Sequence, residues 1–201
     1  MEKTEIVVCR YEKTLEWLKG IKGCRITVYN KGKDDPAIPE GVEAEVIPLE
    51  NVSYEDFVIL THILKRWESL ADVTVFVQDD IANPDLHIGP DFVRVMNEGF
   101  DGLEEVKPLW EVPDAEADGS CKPPVPLKEV YERLLGREWP GKIQFARSSL
   151  VAVPKAKIEQ HGRGFYERAL GELRAETDKV DGFPRGRSTF IFERLWLEVF
   201  K

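Results

Sequence analysis

The run Val73-Thr74-Val75-Phe76-Val77, closed by Gln78-Asp79-Asp80, constrains this chain more than any other feature. It is β-branched and aromatic and apolar at both odd and even positions, so a strand built from it has no face to turn to water. Such a strand belongs in the middle of a sheet with layers packed on each side. The pair of carboxylates that ends it then falls at a strand terminus, on the rim of that sheet.

The neighbouring segments supply the layers. Glu5–Cys9 holds the apolar run Ile6-Val7-Val8-Cys9, and Arg25–Tyr29 holds Ile26-Thr27-Val28-Tyr29. Both are short enough for buried strands and both stop at polar residues. Glu43–Leu49 predicts a third strand near an edge. Between these, Leu15, Trp17 and Leu18 predict a short helix ending near Gly20. Phe57, Leu60, Ile63, Leu64 and Trp67 recur at helical spacing, predicting a helix over Ser53–Ser69 with Ser53 as N-cap and Asp56 completing an imperfect capping box. Strand and helix alternating in this way predict an α/β fold with a mainly parallel central sheet flanked by helices.

Beyond Asp80 the pattern predicts a short helix over Asp91–Glu98, a helix over Leu127–Leu135, and short strands over Lys142–Ala146 and Leu150–Val153. Lys155–Arg174 reads as one long, partly basic helix loosened by Gly162 and Gly164. The aromatic load of Ser188–Phe200 predicts a helix packed back on the core. Residues near 113–126, rich in Asp, Pro and small side chains, read as a mobile segment. The chain of 201 residues fits a single domain over 1–201, with residues 1–80 and 81–201 as two halves.

Charge narrows the partners. The net charge of −9 argues against a general nucleic-acid binder. It conceals an asymmetry: residues 1–118 hold 12 Lys/Arg against 26 Asp/Glu, a net of −14, and residues 119–201 hold 16 against 11, a net of +5. An acidic wall facing a basic one suits a metal with an anionic ligand; an uneven solvated surface is the plain alternative. No apolar run is long enough for a membrane span, and the start lacks the features of a signal peptide. Three cysteines without ligand spacing read as reduced thiols, so the expected setting is cytoplasmic.

In an open α/β sheet, ligands collect beyond the carboxyl ends of the strands, where the strand order reverses. Three strand ends bring Arg10-Tyr11-Glu12, Asn30-Lys31-Gly32 and Gln78-Asp79-Asp80 to that rim. Together they offer cations, an aromatic face, amides and two carboxylates. Adjacent aspartates after a buried strand suit a hard divalent cation, Mn²⁺ or Mg²⁺, with one carboxylate on the metal and the other accepting from a sugar hydroxyl.

Several stretches then combine into a resemblance: IVVCRYEKTLEWLKGI, VYNKG, YEDFVILTHILKRWESLADVTVFVQDD, QFARSSLVAVP with FYERAL, and the terminal FERLWLEVF. In this order, over nearly the whole chain, they are similar to a small domain family of unknown function that resembles GT-A-type (Rossmann-related) glycosyltransferases. A chlorovirus capsid-glycosylating domain is similar in size and layout. The resemblance implies a site for a nucleotide-diphosphate sugar and an acceptor hydroxyl, on a glycan or another molecule. Arg10 and Tyr11, with Glu12 beside them, would lie against base and ribose; Asn30, Lys31 and Gly32 would flank the nucleotide. Gln78-Asp79-Asp80 would stand for the metal-binding Asp-X-Asp element. It departs from that pattern by being Asp-Asp, so either carboxylate can take the metal; the reading places Asp80 on the metal and Asp79 on the donor sugar or ribose, with the reverse, Asp79 on the metal, as the alternative. An inverting reaction also needs a carboxylate to take the acceptor proton, and Glu193 among aromatic residues is the candidate, with Asp114, Glu116 and Asp118 as rivals.

Other residues weigh less. His62 reads as a satisfied helix histidine. His87 follows the aspartate pair by seven residues. His161, Arg163, Arg185 and Arg187 form a basic stretch that could close on a diphosphate. Two other functions stay open at this level: a non-catalytic nucleotide-sugar or glycan-binding module, and a phosphate-handling hydrolase, against which the first strand's Cys9-Arg10 ending counts.

Overall fold

The computed structural model describes residues 3–83, 91–109, 116–117, 125–177 and 188–201. Its centre is a six-stranded sheet in the order β3-β2-β1-β4-β8-β5. The strands are β1 (Thr4–Arg10), β2 (Arg25–Asn30), β3 (Glu45–Pro48), β4 (Val73–Gln78), β5 (Lys107–Pro108) and β8 (Val151–Pro154). The first four are mutually parallel, with Cys9 opposite both Tyr29 and Gln78. β8 runs antiparallel to β4, Phe76 facing Val151, and β5 pairs antiparallel with β8. A separate two-stranded ribbon joins β6 (Glu116–Ala117) to β7 (Ile143–Gln144).

The expected mainly parallel α/β architecture is present, and the double-sided burial read from Val73–Val77 is its physical basis. Val73, Val75 and Val77 pack with Ile6, Val8 and Val28 against Leu15, Leu18, Phe92 and Met96. On the other face, Phe76 packs with Val7, Tyr29 and Val153. That face is covered by α1 (Glu55–Arg66), α5 (Arg163–Thr177) and α6 (Ser188–Val199). α2 (Asp91–Glu98) covers the first face, and α3 (Leu127–Leu135) contacts α5 and α6. The aromatic segment does fold back on the core: Phe192, Trp196 and Phe200 are all fully buried.

Three local expectations change. The helix read over Lys155–Arg174 is two, α4 (Lys155–Glu159) and α5, because Gly162 takes a left-handed φ of 68° between them. Ser53 does not cap α1: it sits at φ 48°, and Tyr54 precedes the helix without a side-chain cap hydrogen bond. Within the segment read as mobile, residues 116–117 form β6 with Ala117 buried, and the remainder up to residue 124 lies outside the described residues.

Candidate functional site

Because β1, β2 and β4 are parallel, their carboxyl ends share one rim. The chain crosses from β1 to β2 on one side and returns to β4 on the other, so the strand order reverses between β1 and β4. A cleft of about 180 Å³ opens there. Tyr11 and Lys13 from the β1 end, Lys31 from the β2 end, the segment around Asn51, Ser53, Tyr54 and Glu55, and Gln78, Asp79 and Asp80 from the β4 end line it.

Asp79 is an anchor for that rim. Its Oδ2 accepts from the backbone N–H of Tyr11 at 2.6 Å and of Lys13 at 3.1 Å. Its carbonyl accepts from Trp17 Nε1 at 2.9 Å, and its own N–H donates to the Cys9 carbonyl. The side chain is buried, which raises its pKa, and the neighbouring Asp80 adds to the rise against the opposing pull of the two amides. The result is a fixed turn after β1 with Glu12 at φ 64° and the Tyr11 ring 38% exposed beside the cleft.

Arg10 and Asn30 hold the rim together from behind. The Arg10 guanidinium, buried at 4% exposure, donates to both Asp34 carboxylate oxygens (3.0 and 2.6 Å), to Asn30 Oδ1 at 2.8 Å and to the Lys13 carbonyl at 3.1 Å. It holds the Asp34 carboxyl below its ordinary pKa. Asn30 donates to the Asp34 carbonyl and also accepts from the Gly32 N–H. A Cβ on Gly32 would stand 2.7 Å from Asp34 Oδ1, so a larger residue there would have to displace the Asp34 carboxylate. Arg10, Asn30 and Gly32, expected beside a ligand, are not among the residues lining the cleft.

Lys31 reaches across to α1. Its buried ammonium donates to the carbonyls of Val52 (3.0 Å), Ser53 and Tyr54 (2.8 Å). Three carbonyls turned toward one cation account for the left-handed Ser53 better than any cap.

Just beyond lies a feature that sequence reasoning missed. Glu55 and Asp56 open α1, and both are buried. Burial, then the neighbouring Asp56, pushes the Glu55 carboxyl up to about 8. Burial likewise pushes Asp56 up to about 7, against hydrogen bonds from Trp196 and Ser149. Asp56 Oδ1 accepts from Ser149 Oγ at 2.8 Å and from Trp196 Nε1 at 2.6 Å, while Oδ2 is buried without a hydrogen-bond partner among the described residues. Two acids in a first helical turn look like ordinary dipole partners. The distant Ser149 and Trp196 close over Asp56.

Glu193 lies on α6, its side chain 20% exposed. Its Oε1 accepts from the Ser148 N–H at 2.7 Å, and Oε2 faces Arg194 Nη1 at 3.2 Å. It thereby holds the turn in which Ser148 and Ser149 both take left-handed φ values, 57° and 54°.

The remaining candidates scatter. His62 is fully buried between Tyr29 and Phe76, with Nε2 3.4 Å from Glu5. His161 stacks on Phe165 and meets the Val199 carbonyl. Arg163 bonds to Glu167 and to the Leu64 carbonyl. Glu116 pairs with Lys142 on the surface. His87, Asp114, Asp118, Arg185 and Arg187 lie outside the described residues.

Among the described residues, no three His, Cys, Asp or Glu side chains are grouped to hold a metal ion, and no helix is long and apolar enough to cross a membrane. Asp79 Oδ2 is taken by two amides, and Asp80 lines the cleft beside it.

Fold and site together define an α/β protein with a cleft lined by charged side chains at its topological switch point. The chain matches no known family model and no curated protein.

Proposed function

We propose that the protein is a glycosyltransferase that moves a sugar from a nucleotide-diphosphate sugar to the hydroxyl of a glycan or other acceptor, assisted by Mn²⁺ or Mg²⁺. The observation that carries this reading is the cleft itself. It lies where nucleotides bind in sheets of this order, and it joins an exposed aromatic ring, Tyr11, to cations and carboxylates. The family resemblance of the sequence points the same way.

Tyr11 offers a face to the base, and Lys13 a cation to the diphosphate. Asp79 serves by fixing both, since its Oδ2 holds their backbone amides. In this reading Asp80, which lines the cleft beside Asp79, is the carboxylate that would hold the metal. When bound, such an ion offsets charge growing on the departing diphosphate. In the reaction the acceptor oxygen bonds to the anomeric carbon. The bond from that carbon to the phosphate oxygen breaks, its electron pair staying on the nucleoside diphosphate.

A binding module without turnover is the second reading, favoured by the engagement of Glu193 with Ser148 and Arg194. A phosphohydrolase with a nucleophile at the first strand is not supported: Cys9 is buried and burial raises its thiol pKa far above the usual range. The test is thermal. Mn²⁺ with a nucleoside diphosphate raises the melting temperature of the wild type, and raises that of Asp80→Ala much less. No shift with any of the uridine, guanosine, thymidine, adenosine or cytidine diphosphates refutes the donor site. Slow hydrolysis of a bound nucleotide sugar separates enzyme from binding module.

A further inference from the structure

The carboxylates on the rim are unequal in what they have left to do. Asp34 is clamped by Arg10, and Asp79 by two backbone amides. Asp56 is sealed at 0% exposure under Ser149 and Trp196. Glu193 is bound to Ser148 and Arg194. Glu55 shares with Asp79 its 7% exposure and a place in the cleft lining, but it stands on the wall formed by the start of α1, whereas Asp79 fixes the turn after β1.

We infer that Glu55 is the catalytic carboxylate that takes the proton of the attacking hydroxyl during sugar transfer in this cleft. The inference rests on the donor-site reading and goes beyond it by naming the base. The acceptor O–H bond breaks as the new bond to the anomeric carbon forms. The proton passes to a Glu55 oxygen, and the nucleoside diphosphate leaves with the electron pair of its bond to the sugar. Without an acceptor, water takes the hydroxyl's place and the products are free sugar and nucleoside diphosphate.

The surroundings of Glu55 suit that task. Burial and the adjacent Asp56 hold its proton affinity near the working range of a base at neutral pH. Lys31 and the side chain of Gln78 face it and pull the other way, as does the backbone N–H of its own helical turn. Cys9, on β1, lines the same cleft and stays a neutral thiol. Gln78, at the end of β4, lines the same cleft as Glu55 beside Asp79 and Asp80.

The experiment compares wild type, E55Q and E193Q. Binding of nucleoside diphosphate with Mn²⁺ is measured by calorimetry. Nucleoside diphosphate release from uridine-, guanosine- and thymidine-diphosphate hexoses is followed from about pH 6 to about pH 9.5. The expected result is near-equal binding by all three proteins, and hydrolysis lowered about 100-fold or more in E55Q. The wild-type rate climbs with pH toward a plateau above about 8, and that limb is absent in E55Q. Equal rates in E55Q and wild type, or a limb that survives in E55Q, overturn the inference while leaving the donor site standing. Failure of the wild type to bind any nucleotide overturns the donor-site reading and this inference with it. Should E55Q fold poorly by circular dichroism, E55D decides: a folded E55D with the wild-type rate and pH profile overturns the assignment, and a lowered rate with nucleotide binding intact supports it.

Discussion

Replacing Asp79 separates two jobs that one carboxylate performs. Asp79→Ala strips the acceptor from the Tyr11 and Lys13 amides, which sit 2.6 and 3.1 Å from Oδ2. Each hydrogen bond to a charged group contributes about 1.5–3 kcal/mol net. Against that stands the cost of burying the carboxylate, visible in its raised pKa. The net loss for alanine is then about 2–4 kcal/mol, and at 201 residues this lowers the melting temperature by about 4–16 °C. Asp79→Asn keeps an oxygen for both amides and removes the buried charge, so it stays within about 1 kcal/mol of the wild type. Urea titrations followed by tryptophan fluorescence measure both, with an unchanged m-value certifying that midpoints can be compared. Trp17, bonded to the Asp79 carbonyl, reports on the same turn. An alanine variant within about 0.5 kcal/mol of wild type would mean that water satisfies the amides. An asparagine variant as weak as alanine would mean that charge, and not an acceptor, holds the turn.

Lys31→Met leaves the Val52, Ser53 and Tyr54 carbonyls without their cation and costs about 2–4 kcal/mol in the same titration; a neutral outcome contradicts the role given to Lys31. Arg10→Lys keeps the charge and loses the fork to Asp34 and Asn30, so amide exchange accelerates over residues 30–35 while β4 stays protected; uniform protection refutes the strut. Stability also varies with pH in a defined sense. Glu55 and Asp56 bind protons more tightly folded, at about 8 and about 7, than unfolded, so their contribution is whole in acid and is lost as pH rises through those values. Burial opposes ionisation of Glu5, yet hydrogen bonds from His62, Arg25 and Thr27 lower it to about 2, and its contribution is lost as pH falls from its ordinary value of 4.5 toward 2. Denaturation midpoints therefore decline from mildly acid toward alkaline pH, and Asp56→Asn flattens that decline; an unchanged slope in the variant refutes the assignment.

What could be read from the chain follows from how local each cause is. The Val73–Val77 run states its own burial, and a parallel sheet is the only common home for such a strand. Tyr11, Lys31, Gln78, Asp79 and Asp80 were legible as a rim because a strand end places its residues whatever else the fold does. Arg10 and Asn30 were legible as part of that rim but not as partners of each other, since Asp34, the residue that claims them, sits in a polar loop with no pattern. Ser53 has a cap's chemistry, and the Lys31 ammonium overrules it. Asp56 was hidden most deeply. Its partners lie 93 and 140 residues downstream, in Ser149 and Trp196.

Those same separations set an order of events during synthesis. Residues through β4 can assemble a parallel sheet as soon as they emerge, yet Asp56 waits for Trp196, 140 residues later. At about 5–20 residues per second that interval is roughly 7–28 s. Through it Asp56 lacks its Trp196 partner and is free to ionise. The acid behind Glu55 is therefore sealed only when α6 docks, and a nascent chain passes through a stage with a sheet but without a finished site.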